Sequence, residues 1–537
     1  MPDKAKAGAH SRRKTSKAPR PGLLAVLITM FCLAAVFAVI VLFILPQTVP
    51  VSEPVETAEP EEPVFFTVKC TGADGNVVLL EGQAGEIVNL PEGPAVSGKT
   101  FIGWADADGQ ILLRNRIPLT EDLSFTAIYA AAFADESEHL VHEPYLPLDE
   151  SDRFHPLSAL TRREAVEIVF SLLAADTGGS GRFNDVEETD SCFTAASVLK
   201  DMGVLEGDEL RPDAAITCRE FYSLIAHFFP PCGEAFAFQT LSIDDPDYAS
   251  FALAFKRGWL DDLAIDPDRD LTREEAAHVF NLLRGRTVRE QKDLSMIGTI
   301  LDVSRHDPYY WDIVEACIPH ECAPAEDSVV WTSSEPVTLR EEGLYRIGTE
   351  LHCADELGGA VVNDSYGNFS FGSDGVYTTG MPELDVLVQA KLKELLNPEK
   401  MTPDQMLRNV YDYVTYHNSY LSVNYYEIGE TGWENDEAYR MLTTGKGNCY
   451  SYAAEFGILA RALGYDAQIF SGTVDPRKHP HGWVEIVFDG VPYVFDAEME
   501  YKDHIIAHKT TCYYRLPPDR VKGWYYYKGE DLTDNVS

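Results

Sequence analysis

Positive charge is what this chain has least of: 44 lysines and arginines stand against 86 aspartates and glutamates in 537 residues, a formal net charge of −42. Such a surface repels phosphate before any local contact forms, which excludes general nucleic-acid binding. Despite the many acids, no stretch has the ligand spacing of an EF-hand. Cysteine is sparse as well, ten in all. Cys317, His320 and Cys322 fall close together, but no second ligand pair has matching spacing, so they read as an unliganded loop. No metal or organic cofactor is required. The hydrophobic fraction of 45% is ordinary for globular material, and the length suggests roughly three or four domains.

The scarce basic residues gather at the start. Lys4, Lys6, Arg12, Arg13, Lys14, Lys17 and Arg20 lie in a tail, 1–21, ahead of an uncharged apolar run, 22–45. At about 1.5 Å per residue that run is long enough to span a hydrocarbon core about 30 Å thick. A cleaved signal peptide would carry a shorter apolar region and a small-residue cleavage site, whereas this run continues into "PQTVPVSEP". The expectation is a single transmembrane helix in contact with lipid through 22–45, its N-terminus cytoplasmic and everything after Pro46 extracellular. Cys32 lies in the run, leaving nine cysteines beyond it; an odd number leaves at least one thiol free if the others pair within the chain. Residues 46–63, rich in proline and glutamate, read as an extended, self-repelling spacer.

From 64 to 131 the pattern changes to short alternating runs, "VFFTVKC", "NVVLLEGQAGEIVNL" and "LSFTAIYAAAF", separated by Gly, Asp and Asn turn signals, which predicts a small β-rich module. "GKTFIGWADADGQIL" with "PLTEDLSFTAIYA" resembles the Listeria-Bacteroides repeat, the internalin B-repeat type of β-grasp module, anchored by Phe101, Gly103, Trp104, Leu119 and Ala127. These five read as a core, with no chemistry assigned.

An internal repeat follows. Thr161, Thr217 and Thr272 recur at spacings of 56 and 55 residues, each followed three positions later by glutamate (Glu164, Glu220, Glu275) and an amphipathic run. That is the capping-box pattern, in which hydroxyl and carboxylate satisfy orphan amides reciprocally, so three helix starts are expected. Residues 145–287 resemble three S-layer homology repeats, on the strength of "TRxE" in two repeats and "FNDV" in one. The resemblance implies an all-α bundle that binds anionic secondary cell-wall polymer. Arg162 and Arg273, beside helix N-termini, are the candidates by position, because guanidinium and free amides both favour an anion. The second repeat has Cys218 where the arginine is expected. The alternative is that the repeats only space or support the C-terminal domain.

The chemistry gathers near the C-terminus. In "GKGNCYSYAAEF", Asn448 is placed to cap a helix running to about Leu463, with Gly464 as its stop, so Cys449 becomes the first helical residue. Free amides and the positive helix end favour thiolate there. Downstream, 482–488 and 491–496 read as strands joined by Asp489-Gly490, a strong hairpin signal. A two-residue loop pairs positions summing to 979, which sets His481 opposite Glu498 with Asp496 as its diagonal neighbour on the same face. Either carboxylate has the parity to orient the imidazole. His479 shares that face, but Pro480 is expected to interrupt the strand, and His481 is preferred.

"GKGNCYSYAAEFGILARALGYDAQIFSG", then "HGWVEI", then "YVFDAEME" resembles the transglutaminase-like superfamily of papain-type thiol enzymes, within an α+β domain placed at 301–516. The resemblance implies Cys449 as nucleophile, His481 as base and acid, and Asp496 as orienter, acting on amide bonds through a thioester. Water as acceptor gives a peptidase or amidase, and an amine gives a cross-linker; the motif is common to both.

Together these readings predict a multidomain protein: basic tail, transmembrane helix, acidic linker, β-grasp module, all-α S-layer-type repeats and papain-like transglutaminase domain. The company of modules points to a Gram-positive-type envelope, with peptides or proteins of that envelope as substrates and secondary cell-wall polymer as a further partner. The alternative is a non-catalytic wall-binding scaffold.

Overall fold

In the first described strand, β1 (Phe65–Thr71), Val68 and Cys70 turn inward at the period of two that the sequence pattern set. The structure, a computed structural model, describes residues 63–531 apart from 135, 137–138, 174–177, 287–296, 325–328, 335–336 and 529. β1 pairs antiparallel with β2 (Val77–Gln83) and parallel with β4 (Leu123–Ala131), which in turn pairs with β3 (Lys99–Ala105), giving a four-stranded sheet of order β2-β1-β4-β3. Trp104, Leu119, Phe125 and Ala127 fill its core, with Phe101 packed against them. Gly103, at φ +156, sits where the β3–β4 register shifts, a conformation that L side chains rarely adopt.

β5 (Val141–His142) leads into five helices: α1 (Arg162–Leu172), α2 (Phe193–Asp201), α3 (Cys218–Ala226), α4 (Tyr248–Lys256) and α5 (Arg273–Arg284). The three threonines are N-caps of α1, α3 and α5, and each capping box is complete in both directions. The segments ahead of these caps close on one another in a ring. Leu160 N–H donates to Leu271 O (2.8 Å), Leu271 N–H to Ile216 O (3.0 Å), and Ile216 N–H to Leu160 O (2.9 Å).

The all-α expectation for 145–287 is therefore corrected, because extended backbone, bridging Thr161 to Ala215 and Thr217 to Asp270, holds the helices together. One hydrophobic core continues from this region through α6 (Tyr310–Cys317) to Trp331, so the helices do not form a self-contained bundle. β6 (His320–Pro324) joins β5 to β7 (Val329–Ser334) in a three-stranded sheet. The described chain is a mixed α/β fold.

The membrane expectation is corrected as well. Among the described residues no helix is long and apolar enough to cross a membrane. The longest, Pro403–His417, has 15 residues against the roughly 20 that a span needs. The run 22–45 lies outside the described residues, and a single-pass topology is not supported.

The C-terminal part begins with the hairpin β8 (Gly343–Ile347) and β9 (Glu350–Ala354), then α7 (Pro382–Leu395), α8 (Pro403–His417), α9 (Glu434–Thr444) and α10 (Cys449–Ala462). A five-stranded sheet follows, of order β12-β11-β10-β13-β14, from β10 (Ala467–Val474), β11 (His479–Phe488), β12 (Val491–Phe495), β13 (Tyr525–Tyr527) and β14 (Glu530–Asp531). Between β12 and β13 lies a short helix, α11 (Ala497–Tyr501). α10 is buried on nearly every face, which its run of Ala, Phe, Ile and Leu requires. Gly457 lets it approach the sheet: a Cβ there would lie 2.4 Å from Ile469.

Candidate active site

The start of α10 is fixed by the turn that precedes it and by its cap. Gly445, at φ +64, ends α9 in the left-handed conformation. Lys446 and Gly447 then pair in parallel with Ser419 and Tyr420. Asn448 caps α10, its side-chain oxygen accepting from Tyr450 N–H (3.2 Å) and Ser451 N–H (3.4 Å) while its amide donates to Asn424 O at 2.5 Å. Glu437, fully buried on α9, accepts from Asn424 Nδ2 (2.8 Å), Tyr426 OH (2.7 Å) and the Ser451 hydroxyl. Cys449 is thus the first residue of a rigidly capped helix, and it is buried at 5% exposure.

The histidine comes from the hairpin. Phe488 faces Val491 and Val484 faces Phe495, the register expected from a two-residue Asp489-Gly490 loop. β11 nevertheless runs through Pro480, which pairs with Thr473, so the expected interruption does not occur. His479 is kept out of the site by other means: it is exposed and bonds Asp475 at 2.7 Å. The second strand stops at Phe495, and Asp496 becomes the N-cap of α11, accepting from Met499 N–H at 3.0 Å. That turn decides between the two carboxylates that hairpin parity left open. His481 Nε2 lies 2.8 Å from Asp496 Oδ2, whereas Glu498 comes only within 4.0 Å of Nδ1.

Asp496 Oδ2 also accepts from the Tyr525 hydroxyl at 2.7 Å. No motif or spacing marks Tyr525, on β13; it reaches the site because β13 pairs with β10. No short-range signal in "KGWYYYKGE" points to it. Gly482 is likewise marked by no sequence signal. A Cβ there would lie 2.9 Å from Tyr450 Cδ1 and 3.3 Å from Cys449 O, so the missing side chain is what lets β11 lie against the start of α10.

The electrostatics follow from burial and pairing. Desolvation works against a charged His481, but the Asp496 charge, the Cys449 charge and hydrogen bonds to both outweigh it, leaving the imidazole well above its ordinary value. Burial pushes Glu498 up, the neighbouring imidazole offsetting part of the effect. His481, Asp496 and Glu498 each offer a metal-ligating atom within 4.8 Å of one another. The facing Nε2 and Oδ2 are already joined to each other, however, and Oδ2 is also taken by Tyr525.

The site sets a thiol at a helix N-terminus and a carboxylate-bound histidine on the strand packed against it. Residues 391–497 match the transglutaminase-like superfamily. The matched residues include all three of Cys449, His481 and Asp496. Tyr525 lies beyond the matched residues. Among solved structures, the chain is similar to one described as "a Putative Cysteine Protease from Cytophaga hutchinsonii", at 22% identity and a TM-score of 0.19, covering 28% of this chain and 44% of that one. The chain thus spans less than half of that structure's length. Among curated proteins, none matches the chain.

The other two predicted site residues lie elsewhere and are differently engaged. Arg162 pairs with Glu220 and Arg273 with Glu164, each the capping glutamate of another repeat. Both guanidiniums belong to side chains only 12% exposed. Cys218 occupies the third equivalent position, and there Arg269 supplies the cation, bonding Glu275 at 2.8 Å. The arginines therefore link the three cap regions through ion pairs with their glutamates.

Proposed function

We propose that the transglutaminase-like domain is an acyl-transfer enzyme acting on amide bonds of peptides or proteins through a thioester on Cys449. The observations that carry this reading are the buried His481–Asp496 pair, the buried Cys449 at a helix N-terminus, and the part Cys449 takes in raising the imidazole. With Nε2 held by Asp496, Nδ1 is the nitrogen left to take the thiol proton. The resulting thiolate is stabilised by the positive end of α10 and by the imidazolium.

Thiolate attack on an amide carbonyl forms the S–C bond. Collapse of the tetrahedral intermediate breaks C–N, and the leaving nitrogen takes the proton back from Nδ1. Water or a second amine, deprotonated by the same nitrogen, then attacks the thioester and frees Cys449. The amide of Cys449 at the helix start is one oxyanion donor. Asp496 is a positioning residue: it fixes the tautomer and stabilises the imidazolium.

A peptide substrate is favoured by the rim. Leu421 donates its N–H to Gly447 O, two residues from the nucleophile, Tyr425 packs edge-on to Tyr450, and Leu421 and Tyr425 are both exposed. Apolar groups held beside a buried nucleophile suit peptide side chains flanking the reacting amide.

The test is the rate of iodoacetamide alkylation of Cys449 against pH, read by peptide mass spectrometry, in the parent and in His481→Ala. Rapid labelling well below the ordinary thiol pKa of about 8.5, lost in the variant, is expected. Labelling that ignores the histidine would refute the activated pair. Incubation with peptides and an amine then separates hydrolysis from cross-linking, and formation of neither product with a reactive Cys449 would refute acyl transfer on this substrate class.

A further inference from the structure

The loop Cys317–Cys322, expected to be unliganded, acquires partners that are remote in sequence. α6 carries Glu315 to its C-terminal end, the chain turns directly into β6, and β5 pairs alongside with His142 opposite His320. His142 Nδ1 lies 3.1 Å from His320 Nε2 and 3.8 Å from Cys322 Sγ, and it hydrogen-bonds Glu315 Oε1. Glu315 Oε2 lies 3.1 Å from His320 Nε2. None of the four residues is more than 4% exposed.

The geometry is that of a coordination sphere. His142, His320 and Cys322 each present one donor atom, all within 4.8 Å of one another. Around a tetrahedral ion with nitrogen at about 2.0–2.1 Å and sulfur at about 2.3 Å, neighbouring ligand atoms stand about 3.3 Å apart for N···N and about 3.6 Å for N···S. The observed N···N and N···S separations of 3.1 and 3.8 Å fall either side of those values by no more than a few tenths of an ångström.

The tautomer points the same way. His320 Nδ1 donates to Ile318 O at 2.7 Å, so a neutral ring has its lone pair on Nε2, facing the cluster. A carbonyl holding the outer nitrogen is the usual second support of a ligating histidine. Trp331 stacks on this ring, with centroids 3.7 Å apart and planes 14° off parallel, and fixes its direction.

The carboxylate is the independent sign of a ligand. Glu315 is wholly buried, yet its Oε2 accepts no hydrogen bond even with Nε2 3.1 Å away. A buried carboxylate oxygen set against an imidazole lone pair is costly, and a cation shared by both satisfies both. Arg286 stands 3.9 Å from the other oxygen, Oε1, and its guanidinium is engaged by Glu136.

We propose that His142, Glu315, His320 and Cys322 bind a divalent metal ion of the zinc class in a closed, four-ligand structural site. Two neutral imidazoles, one thiolate and one carboxylate carry two negative charges, which cancel the ion's charge inside the protein. Binding moves the His142 proton from Nδ1, where it faces Glu315 Oε1, to Nε2, forms the metal–sulfur bond and releases the Cys322 proton to solvent. The site ties β5, the strand that follows the N-terminal sheet module, to α6 and β6.

The experiment uses the full chain carrying Cys449→Ala, so that no signal comes from the thiol enzyme site. The protein is reduced, stripped with a chelator and titrated with zinc(II) and, separately, cobalt(II). One equivalent of either ion is expected, with a thiolate-to-cobalt charge-transfer band in the near ultraviolet. Cys322→Ser should abolish the band, and His142→Gln should weaken binding by more than the roughly 10- to 100-fold that follows loss of an outer-shell partner. No uptake by the reduced parent would overturn the proposal. So would uptake unchanged in Cys322→Ser, a single-atom replacement that still decides the matter if His142→Gln does not fold.

Discussion

Replacing Tyr525 by phenylalanine removes one hydrogen-bond donor and little else. The ring keeps its place against Trp483, 5.3 Å away between centroids, while Asp496 Oδ2 loses the 2.7 Å hydroxyl contact and retains His481 Nε2 at 2.8 Å. A hydrogen bond to a charged acceptor contributes about 1.5–3 kcal/mol. With that donor gone the carboxylate becomes a stronger base and draws harder on its remaining partner, so the His481 imidazole, already held well above its ordinary value, rises further. At about 1.36 kcal/mol per pH unit, the rise is at most about 1–2 units.

The sign for stability follows from a folded-state pKa lying above the unfolded one. The His481 contribution is fully present below the unfolded value of about 6.5 and is lost as pH rises through the folded value, which the substitution moves upward. The assay is an NMR titration of the His481 ring in parent and variant, run beside the pH dependence of Cys449 alkylation and the urea unfolding midpoint. An imidazole midpoint that stays put or falls, with an unchanged urea midpoint, would refute the argument that Tyr525 supports the site through Asp496.

Two further substitutions test the frame around the site. Gly482→Ala places a methyl 2.9 Å from Tyr450 Cδ1, 3.1 Å from Tyr450 Cα and 3.3 Å from Cys449 O. Backbone atoms of a capped helix yield little, so β11 must lift. A stability loss of about 1–3 kcal/mol is expected, with Cys449 alkylation slowed at least tenfold; a rate equal to the parent's would show that the approach of β11 to α10 is not critical. Glu455 on α10 is fully buried, and burial pushes its carboxyl up to about 8 from 4.5, only partly opposed by Asn418 Nδ2 at 2.5 Å. The folded state therefore keeps a proton that the unfolded state releases, and stability falls as pH rises between these values. Glu455→Gln removes that dependence and should be the more stable protein at pH above 8, by on the order of 3–5 kcal/mol; parallel pH–stability curves for the two proteins would contradict it.

The comparison of sequence with structure turns on how far apart the interacting residues lie. The three capping boxes, the Asn448 cap with Cys449 as first helical residue, and the Asp489-Gly490 hairpin register were all legible, because each is settled by side chains and amides within a few positions of one another. Pro480 misled because a proline at a strand position without a required donor does not stop pairing, and β11 passes through it. The all-α reading of the repeats failed because periodicity detects helices and not the extended backbone that joins their starts into a ring.

Sequence alone determined where helix and hairpin begin and which residues are candidates for thiol chemistry, since local backbone geometry is dictated by neighbouring residues. Tertiary structure alone decided what those groups meet. It turned the chain at Asp496 to choose between two carboxylates, and it brought Tyr525 to that carboxylate across the sheet. It spent Arg162 and Arg273 on capping glutamates of other repeats and set His142 against His320 from 178 residues away. Contacts of that range depend on how whole elements pack, and no period or spacing in the chain encodes them.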